Sequence, residues 1–188
     1  MSISEGDYLW AANELQCDLN AIIAVAKVES GGSGFLPNGE PKILFEAHHF
    51  SRLTNNRFDV SHPAISSVKW NRKLYSGSGI GEHLRLQDAV KLDKTAALKS
   101  ASWGKFQIMG FNWEACGCES LRDFITAMYA SESRQLKAFV GYIKHNPKLL
   151  RAIQTCSWRA FASIYNGPAY ETNRYHLRLA EEYRKANH

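Results

Sequence analysis

Apolar residues recur with the period of an α-helix over most of the chain. The first such stretch covers about residues 4–16, and its spacing predicts an amphipathic helix. The apolar face of this helix consists of Tyr8, Leu9, Ala12 and Leu15. The next stretch, residues 18–29, is apolar on nearly every side, which predicts a second and buried helix. Asp18 or Asn20 can cap the start of that helix.

The helical period is lost between about residues 37 and 81. Residues 42–46, Lys-Ile-Leu-Phe-Glu, could form a short strand. The rest of this segment indicates turns and loops, because Asn, Gly, Ser and Pro recur in it. A segment of this length without regular structure usually has a function when it lies inside a compact domain. We therefore predict a small β/loop lobe inserted over about residues 35–81.

Helical character returns over about residues 82–100 and again from about residue 120 to the end. In the first of these segments the apolar positions are Leu84, Ala89, Val90, Ala96 and Ala97. The second carries three apolar stripes: Leu121, Phe124, Ile125 and Met128, then Leu136, Phe139, Val140 and Ile143, then Trp158, Phe161, Ala162 and Tyr165. A chain of 188 residues that is 45% hydrophobic can bury a full core. We predict a mainly α fold of the α+β type, with one domain over residues 1–188.

Charge and the N-terminal sequence limit the classes of function. A net charge of +5 favours anionic partners such as nucleic acid, a phospholipid surface or an acidic cell-wall polymer. The basic residues are dispersed, and no helix-turn-helix, RRM or zinc motif accompanies them, which argues against nucleic acid. The N-terminus lacks the basic and apolar regions of a signal peptide, and no apolar run approaches the length of a membrane span. We therefore expect a soluble protein that is made in a cytoplasm.

The cysteines and histidines do not have the spacing of a metal site. Only Cys116 and Cys118 are close in sequence, and a C-x-C pair with no second Cys or His pair nearby is poor zinc spacing. We expect reduced thiols in small apolar sites. No metal and no cofactor are predicted.

Glu29 has an unusual position for a carboxylate. It shares a helix face with Ile22 and Ala26, and the Gly- and Ser-rich residues 30–34 should end the helix there. The carboxyl group would lie at the negative end of the helix dipole and away from water, and both effects raise its pKa. An acid that keeps its proton near neutral pH can act as a general acid. The alternative is an ordinary helix-end glutamate that faces water or pairs with Lys27.

Two later segments carry polar groups among apolar neighbours. Gln107, within residues 102–109, can donate and accept hydrogen bonds, as the recognition of sugar hydroxyl or acetamido groups requires. Tyr165 and Asn166 end a helix on an aromatic ring and an amide, followed by Gly167 and Pro168. Each of these segments, taken alone, is more often structural than functional. Five tryptophans and eight tyrosines add flat surfaces on which sugar rings can lie.

The order of these segments resembles the lysozyme-like superfamily, particularly goose-type lysozymes and soluble lytic transglycosylases. Glu29–Ser30 ends a helix, Gly104-x-x-Gln107 follows, and Tyr165–Asn166 comes last. About residues 5–187 are similar to the N-acetylmuramidase family of phage and prophage endolysins. The segments that carry this similarity are residues 25–32, 39–50, 101–110, 131–136 and 165–168.

The resemblance implies a lysozyme-like fold in which a helical bundle and the small lobe form a glycan cleft. It implies that Glu29 is the general acid. The residues implied to bind the glycan are Ser30, Gln107, Tyr165 and Asn166. The implied reaction is hydrolysis of the β-1,4 bond between N-acetylmuramic acid and N-acetylglucosamine in peptidoglycan, which lyses bacteria. A lytic transglycosylase that gives 1,6-anhydromuramic products is the alternative, and a wall-binding module without catalysis is a rival from another class.

The second catalytic group is open. Glycosidases usually pair their acid with another carboxylate, which acts as nucleophile or as base for water. Glu46 is the first candidate, because it lies in the extended segment among apolar neighbours. The weaker candidates are Asp59, Glu82 and Asp88. Glu46 could also be a salt-bridged or surface residue, and Glu29 could act with a positioned water alone.

The C-terminal helix, about residues 170–187, is basic and amphipathic. Its positive residues are Arg174, Arg178, Arg184 and Lys185. Such a helix could contact an anionic outer membrane, or it could be an ordinary packed helix, because three glutamates dilute its charge. The resemblance implies synthesis in the host bacterial cytoplasm and action in the periplasm on the cell wall. It also implies a partner that perforates the inner membrane, and we expect a monomer.

Overall fold

The structure is a computed structural model that describes residues 2–30 and 32–187. Within this part of the chain it contains ten α-helices and three short strands. The helices are α1 Glu5–Leu15, α2 Leu19–Ser30, α3 Ala47–Leu53, α4 Gly79–Leu92, α5 Lys94–Lys99, α6 Leu121–Ala130, α7 Glu132–His145, α8 Pro147–Gln154, α9 Trp158–Tyr165 and α10 Tyr175–Ala186. The strands are β1 Ile43–Phe45, β2 Ala101–Trp103 and β3 Ile108–Met109. The prediction of a mainly α fold is confirmed.

The first helix begins at a capping box. The Ser4 hydroxyl accepts a hydrogen bond from the Asp7 amide at 3.2 Å, and the Asp7 carboxylate accepts one from the Ser4 amide at 3.0 Å. The predicted apolar face is wrong at Leu9, whose side chain is 46% exposed. Ala11 is buried in its place, because the helical period of 3.6 residues groups position 11 with position 15 rather than with position 9.

Helix α2 forms the centre of the core and carries Glu29 at its end. The Asp18 carboxylate accepts a hydrogen bond from the Asn20 amide at 2.8 Å, so Asp18 is the capping residue of the two that the sequence offered. Five residues of this helix are fully buried: Ala21, Ile22, Ala24, Val25 and Ala26. Helices α1 and α10 pack against it. The acid therefore follows a run of residues from which water is excluded.

The described residues include a three-stranded antiparallel sheet in the order β1-β2-β3, in which only β1 comes from the lobe predicted over about residues 35–81. Ile43 pairs with Trp103, and Trp103 pairs in turn with Ile108. The predicted strand at residues 42–46 is confirmed in its centre, whereas β2 and β3 have three and two residues and show no alternation that a sequence pattern could reveal.

The prediction that only turns and loops follow the first strand is wrong. Residues 47–53 form helix α3, in which Ala47 and Phe50 are buried at helical spacing. This helix has seven residues, so fewer than two full apolar repeats were available to the sequence argument.

The helical character predicted over about residues 82–100 is confirmed, and it is divided between two helices, α4 and α5. The chain is extended at Asp93, whose carboxylate accepts a hydrogen bond from the Ala96 amide at 3.0 Å and so caps α5. Leu84 is 57% exposed rather than buried, and Leu86 and Ala89 form the inner face of α4 instead.

The apolar stripes predicted for the C-terminal half are confirmed in α7 and α9. Leu136, Phe139 and Ile143 are fully buried, as are Phe161 and Ala162. Aromatic rings connect these helices to the turn between β2 and β3, because Phe106 stacks on Phe139 with ring centroids 4.5 Å apart. Among the described residues, no helix is long and apolar enough to cross a membrane.

Candidate active site

Glu29 faces a cavity between the end of α2 and the small sheet. The volume of this cavity is about 360 Å³. Its lining residues are Glu29, Leu36, Lys42, Ile43, Leu44, Gly79, Gly104, Lys105 and Gln107. The carboxyl Oε1 of Glu29 accepts a hydrogen bond of 2.9 Å from the Asn166 side-chain amide. Two residues that the sequence placed in one site, 137 positions apart, are thus in direct contact.

Opposing influences set the protonation of Glu29. Burial raises the pKa of its carboxyl group above the usual value, while the hydrogen bond from Asn166 and the positive charge of Arg178 lower it by a smaller amount. Lys27 does not neutralise the acid, because its Nζ lies 3.9 Å from Glu182. The net effect is a carboxylic acid that keeps its proton to higher pH than an exposed glutamate does.

Asn166 is held by the end of helix α9. Its backbone amide donates to the Ala162 carbonyl oxygen at 2.9 Å, and Gly167, with a φ of 73°, turns the chain away. The side-chain Nδ2 is committed to Glu29, whereas Oδ1 is buried and has no hydrogen-bond partner among the described residues. A buried acceptor without a partner is uncommon in a folded protein and marks Asn166 as a polar group whose hydrogen-bonding capacity is only partly used.

Gln107 lines the cavity, and most of its hydrogen-bonding capacity is used within the turn between β2 and β3. Its Oε1 accepts from the Ser102 hydroxyl at 2.8 Å, and its Nε2 donates to the Gly104 carbonyl oxygen at 2.9 Å. The backbone of Gln107 is left-handed, with a φ of 48°. Since an amide oxygen can accept two hydrogen bonds, one acceptor position remains for a ligand.

Tyr165 is not among the described residues that line this cavity. Its hydroxyl donates to the Phe106 carbonyl oxygen at 2.7 Å, and burial raises its pKa well above the usual value. The ring stacks on Phe161 with centroids 5.3 Å apart. Tyr165 therefore connects helix α9 to the turn between β2 and β3, and a direct contact with the glycan stays a prediction. The side chain of Ser30 lies outside the described part of the chain.

Glu46 is not among the described residues that line the cavity, but it is two positions from Leu44, which does line it. Side chains two positions apart along an extended segment point to the same side, about 7 Å apart. Both carboxyl oxygens of Glu46 lie near the Tyr75 hydroxyl, which donates at 2.8 and 3.0 Å, and His48 Nδ1 is 3.3 Å away. Burial raises the pKa of Glu46, and the pKa of Tyr75 is raised to about 12 by burial and by the carboxylate.

The three weaker candidates for a second acid have other contacts. The buried carboxylate of Glu82 accepts hydrogen bonds from the Phe45 amide at 3.0 Å and from the Ser76 amide at 2.7 Å. Asp59 accepts hydrogen bonds from two serine hydroxyls, and Asp88 is exposed and paired with Lys91 at 2.7 Å. None of these acids, nor Glu46 itself, is among the described residues that line the cavity. Glu46 remains the first candidate because it is two positions from Leu44, which does line it.

A buried ion pair beside the cavity was missed by the sequence argument. Lys105 Nζ lies 3.3 Å from the Glu132 carboxylate and donates to the Gly32 carbonyl oxygen at 2.5 Å. Glu132 also accepts from the Gly34 amide at 2.6 Å. Burial opposes the ionisation of Glu132, but the Gly34 hydrogen bond and the Lys105 charge outweigh it and lower its pKa. The only sequence signal was a charged residue in each of two motifs, and sequence does not pair them.

Comparison with known proteins agrees with this geometry. The sequence profile of the N-acetylmuramidase family matches residues 18–187. The crystal structure of the Burkholderia AP3 phage endolysin superposes with a TM-score of 0.91 at 38% sequence identity, covering 99% of this chain and 72% of that chain. No match was found among curated proteins. The predicted lysozyme-like fold is confirmed, and the chain belongs to the N-acetylmuramidase family of glycoside hydrolases.

Proposed function

We propose that the protein is an endolysin in which Glu29 is the general acid for cleavage of the β-1,4 bond between N-acetylmuramic acid and N-acetylglucosamine. One observation carries this assignment. Glu29 lies in the last turn of helix α2, which is largely buried, and its carboxyl group has a raised pKa and faces a cavity of about 360 Å³ at the edge of the sheet. An acid in that position can protonate the glycosidic oxygen as the sugar develops oxocarbenium character.

Asn166 supports the acid after the proton has left. Its Nδ2–H group donates to the carboxylate oxygen, and a hydrogen bond to a charged acceptor is about twice as strong as one to a neutral acceptor. The positive charge of Arg178 acts in the same direction. We propose that these two groups stabilise the Glu29 anion in the transition state, where burial alone would oppose it.

We propose Glu46 as the second catalytic group, the base that activates water. Its carboxylate is held by Tyr75, and although burial raises its pKa, the hydrogen bond from Tyr75 and the nearby His48 act in the opposite direction and favour the ionised form. Glu46→Gln should lower kcat on peptidoglycan about 10²- to 10⁴-fold. Mass spectrometry of the released muropeptides tests the use of water, because the anhydro product of a transglycosylase is lighter by one water molecule. The family match does not favour that alternative.

The direct test of the assignment is Glu29→Gln, which keeps the shape of the side chain and removes its proton. We expect lysis of purified peptidoglycan to fall at least about 10²-fold, with an unchanged circular dichroism spectrum. Glu14→Gln is the matched control, because Glu14 is an exposed helical glutamate paired with Lys144 at 2.8 Å. Wild-type lysis by the Glu29 variant would contradict the proposal.

The remaining proposals concern the setting of the reaction. We propose a single-domain monomer that needs no metal or cofactor, is made in the bacterial cytoplasm and reaches the wall after a partner perforates the inner membrane. Any contact with an outer membrane would use the exposed side of α10, because Leu179 on its other side is fully buried. Arg174 and Arg184 lie on the exposed side.

A further inference from the structure

Trp70 is an exposed tryptophan whose ring is nevertheless fixed. The residue is 60% exposed, yet its indole Nε1–H donates to the Tyr75 hydroxyl at 2.8 Å. The two rings meet at an interplanar angle of 70°, with centroids 6.5 Å apart. A large aromatic face that is both open to solvent and restrained loses little conformational freedom when a ligand covers it.

A short hydrogen-bonded chain connects this ring to the candidate active site. The Tyr75 hydroxyl that accepts from Trp70 donates in turn to Glu46 at 2.8 Å. Glu46 directly follows strand β1 with an extended backbone, two positions after Leu44, which lines the cavity beside Glu29. A cavity of about 360 Å³ is at the small end of ligand-sized pockets, so a polymeric glycan has to continue over the surface outside it.

The surroundings of Trp70 are strongly basic. Lys69, Arg72 and Lys73 are all exposed, and none has an ion-pair partner among the residues that the structure describes. Three cations within five residues attract a ligand that carries negative charge. A peptide-bearing muramic acid unit combines a sugar ring with carboxylates, and an unsubstituted amino sugar does not.

We propose that Trp70 and Tyr75 form a glycan subsite outside the cavity, on which the ring of a peptide-bearing amino sugar stacks. Lys69, Arg72 and Lys73 bind the carboxylates of its peptide stem. The subsite rests on the proposed function, since it takes another unit of the same polymer. It sets which part of the wall strand is held while the bond beside Glu29 is cleaved.

The test measures binding apart from catalysis. In the Glu29→Gln background, we expect Trp70→Ala to weaken binding to purified peptidoglycan sacculi about 10-fold, and Trp70→Phe to retain most of the affinity. Trp10→Ala is the matched control, because Trp10 is a 37% exposed tryptophan on α1. Its ring centroid lies 5.6 Å from Lys137 Nζ. In the active enzyme, Trp70→Ala should raise KM with little change in kcat.

A charge variant tests the peptide stem. Lys69→Gln/Arg72→Gln/Lys73→Gln should weaken binding to sacculi several-fold and leave binding to oligomers of N-acetylglucosamine, which carry no carboxylate, unchanged. The control is Lys94→Gln/Lys148→Gln/Arg151→Gln, which removes the same charge from exposed residues of α5 and α8. This variant should bind both ligands as tightly as the parent protein does.

Several results would overturn the subsite. One is wild-type affinity of Trp70→Ala for sacculi. Another is that the charge variant loses binding to anionic phospholipid vesicles but not to sacculi, which would assign the patch to a membrane surface. A third is an equal loss for both ligands in the charge variant. All of these are distinct from failure of the proposed function, which appears as retained lysis by Glu29→Gln.

Discussion

At the scale of single residues, the proton of Glu29 depends on a balance that individual neighbours can shift. Burial raises the pKa of the carboxyl group, whereas Asn166 and Arg178 lower it. Because the general acid must be protonated, kcat/KM should fall as pH rises through this raised pKa. Each neighbour that stabilises the Glu29 anion moves this fall in kcat/KM, the alkaline limb of the pH profile, to lower pH.

Asn166→Ala tests the contribution of the amide. Removing the Nδ2–H donor destabilises the Glu29 anion, so the pKa of Glu29 should rise and the alkaline limb of the kcat/KM profile should move to higher pH. The maximum rate should fall about 10-fold or more, because the carboxyl group also loses its positioning contact. Initial lysis rates between pH 4 and 9 give the profile. A limb that stays in place would contradict this balance, and Asn13→Ala at an exposed position of α1 is the control.

The same raised pKa predicts that Glu29 destabilises the fold at neutral pH. A carboxyl group whose folded-state pKa exceeds its unfolded value favours folding below the unfolded value, near 4.5, and that advantage is lost as pH rises through the folded pKa. Glu29→Gln has no proton to lose and its carbonyl can still accept from Asn166. We expect a higher Tm than wild type at pH 7, by about 2–4 °C for each kcal/mol relieved, and no gain below about pH 4. Calorimetry at the two pH values measures it, and a lower Tm at pH 7 would refute the argument.

At the scale of elements, helices with several apolar repeats can be predicted from the sequence, whereas elements of only a few residues are missed. Helix α7 shows four apolar residues at helical spacing, and all of them are buried. Strands β2 and β3 owe their existence to pairing with β1, which no local pattern contains. The break at Asp93 depends on one capping hydrogen bond, and capping residues are common enough in helices that one alone does not predict a break.

Contacts from α7 fix the two loops that enclose the cavity. Glu132 holds the loop after Glu29 through the Gly34 amide, and Gln135 accepts from the Lys105 amide of the turn between β2 and β3 at 2.7 Å. Space is also restricted, because a Cβ atom at Gly34 would collide with the Gln135 and Lys105 side chains. The start of α7 therefore holds both the loop that follows α2 and the turn between β2 and β3 in place.

Breaking the buried ion pair between Lys105 and Glu132 should reduce both the stability of the fold and the rate of the chemical step. Glu132→Gln leaves the Lys105 ammonium buried without its partner, which costs about 3–5 kcal/mol for pairs of this kind. The double variant Lys105→Met/Glu132→Gln should be less destabilised than the sum of the two single variants. Urea unfolding measures the free energies, and kcat should fall more than KM rises.

The exposed pair Lys144–Glu14 is the control for this measurement. Its removal should change the free energy of unfolding by no more than about 1 kcal/mol. Strictly additive effects of Lys105→Met and Glu132→Gln would show that the two side chains do not act as a pair.

At the scale of the whole molecule, the site is assembled from segments that are distant in sequence. Glu29 comes from α2, Asn166 from the end of α9, and Gln107 from the turn between β2 and β3. The sequence could name these residues from their chemistry and order. It could not show that the side chains of Gln107 and Tyr165 donate hydrogen bonds to backbone carbonyl groups of the protein, because such contacts depend on how the chain packs.

Helix α10 is part of this assembly, which decides how a membrane role can be tested. Arg178 donates to the Val28 carbonyl oxygen at 3.3 Å, and the Tyr183 hydroxyl donates to Asp18 at 2.7 Å. Deleting the helix would uncover α2 beside Glu29 and abolish activity for a reason unrelated to membranes. Substitutions on its exposed side avoid this problem.

Arg174→Gln/Arg184→Gln should therefore separate the two roles of the helix. If α10 contacts an anionic outer membrane, killing of intact Gram-negative cells should fall several-fold, because each cation near such a surface contributes about 1 kcal/mol. Lysis of purified peptidoglycan should stay unchanged, since neither side chain lines the cavity. Lys148→Gln/Arg151→Gln on α8 removes the same charge elsewhere and should leave both activities as they are. Unchanged killing by the α10 variant would assign this helix to the packing of α2 alone.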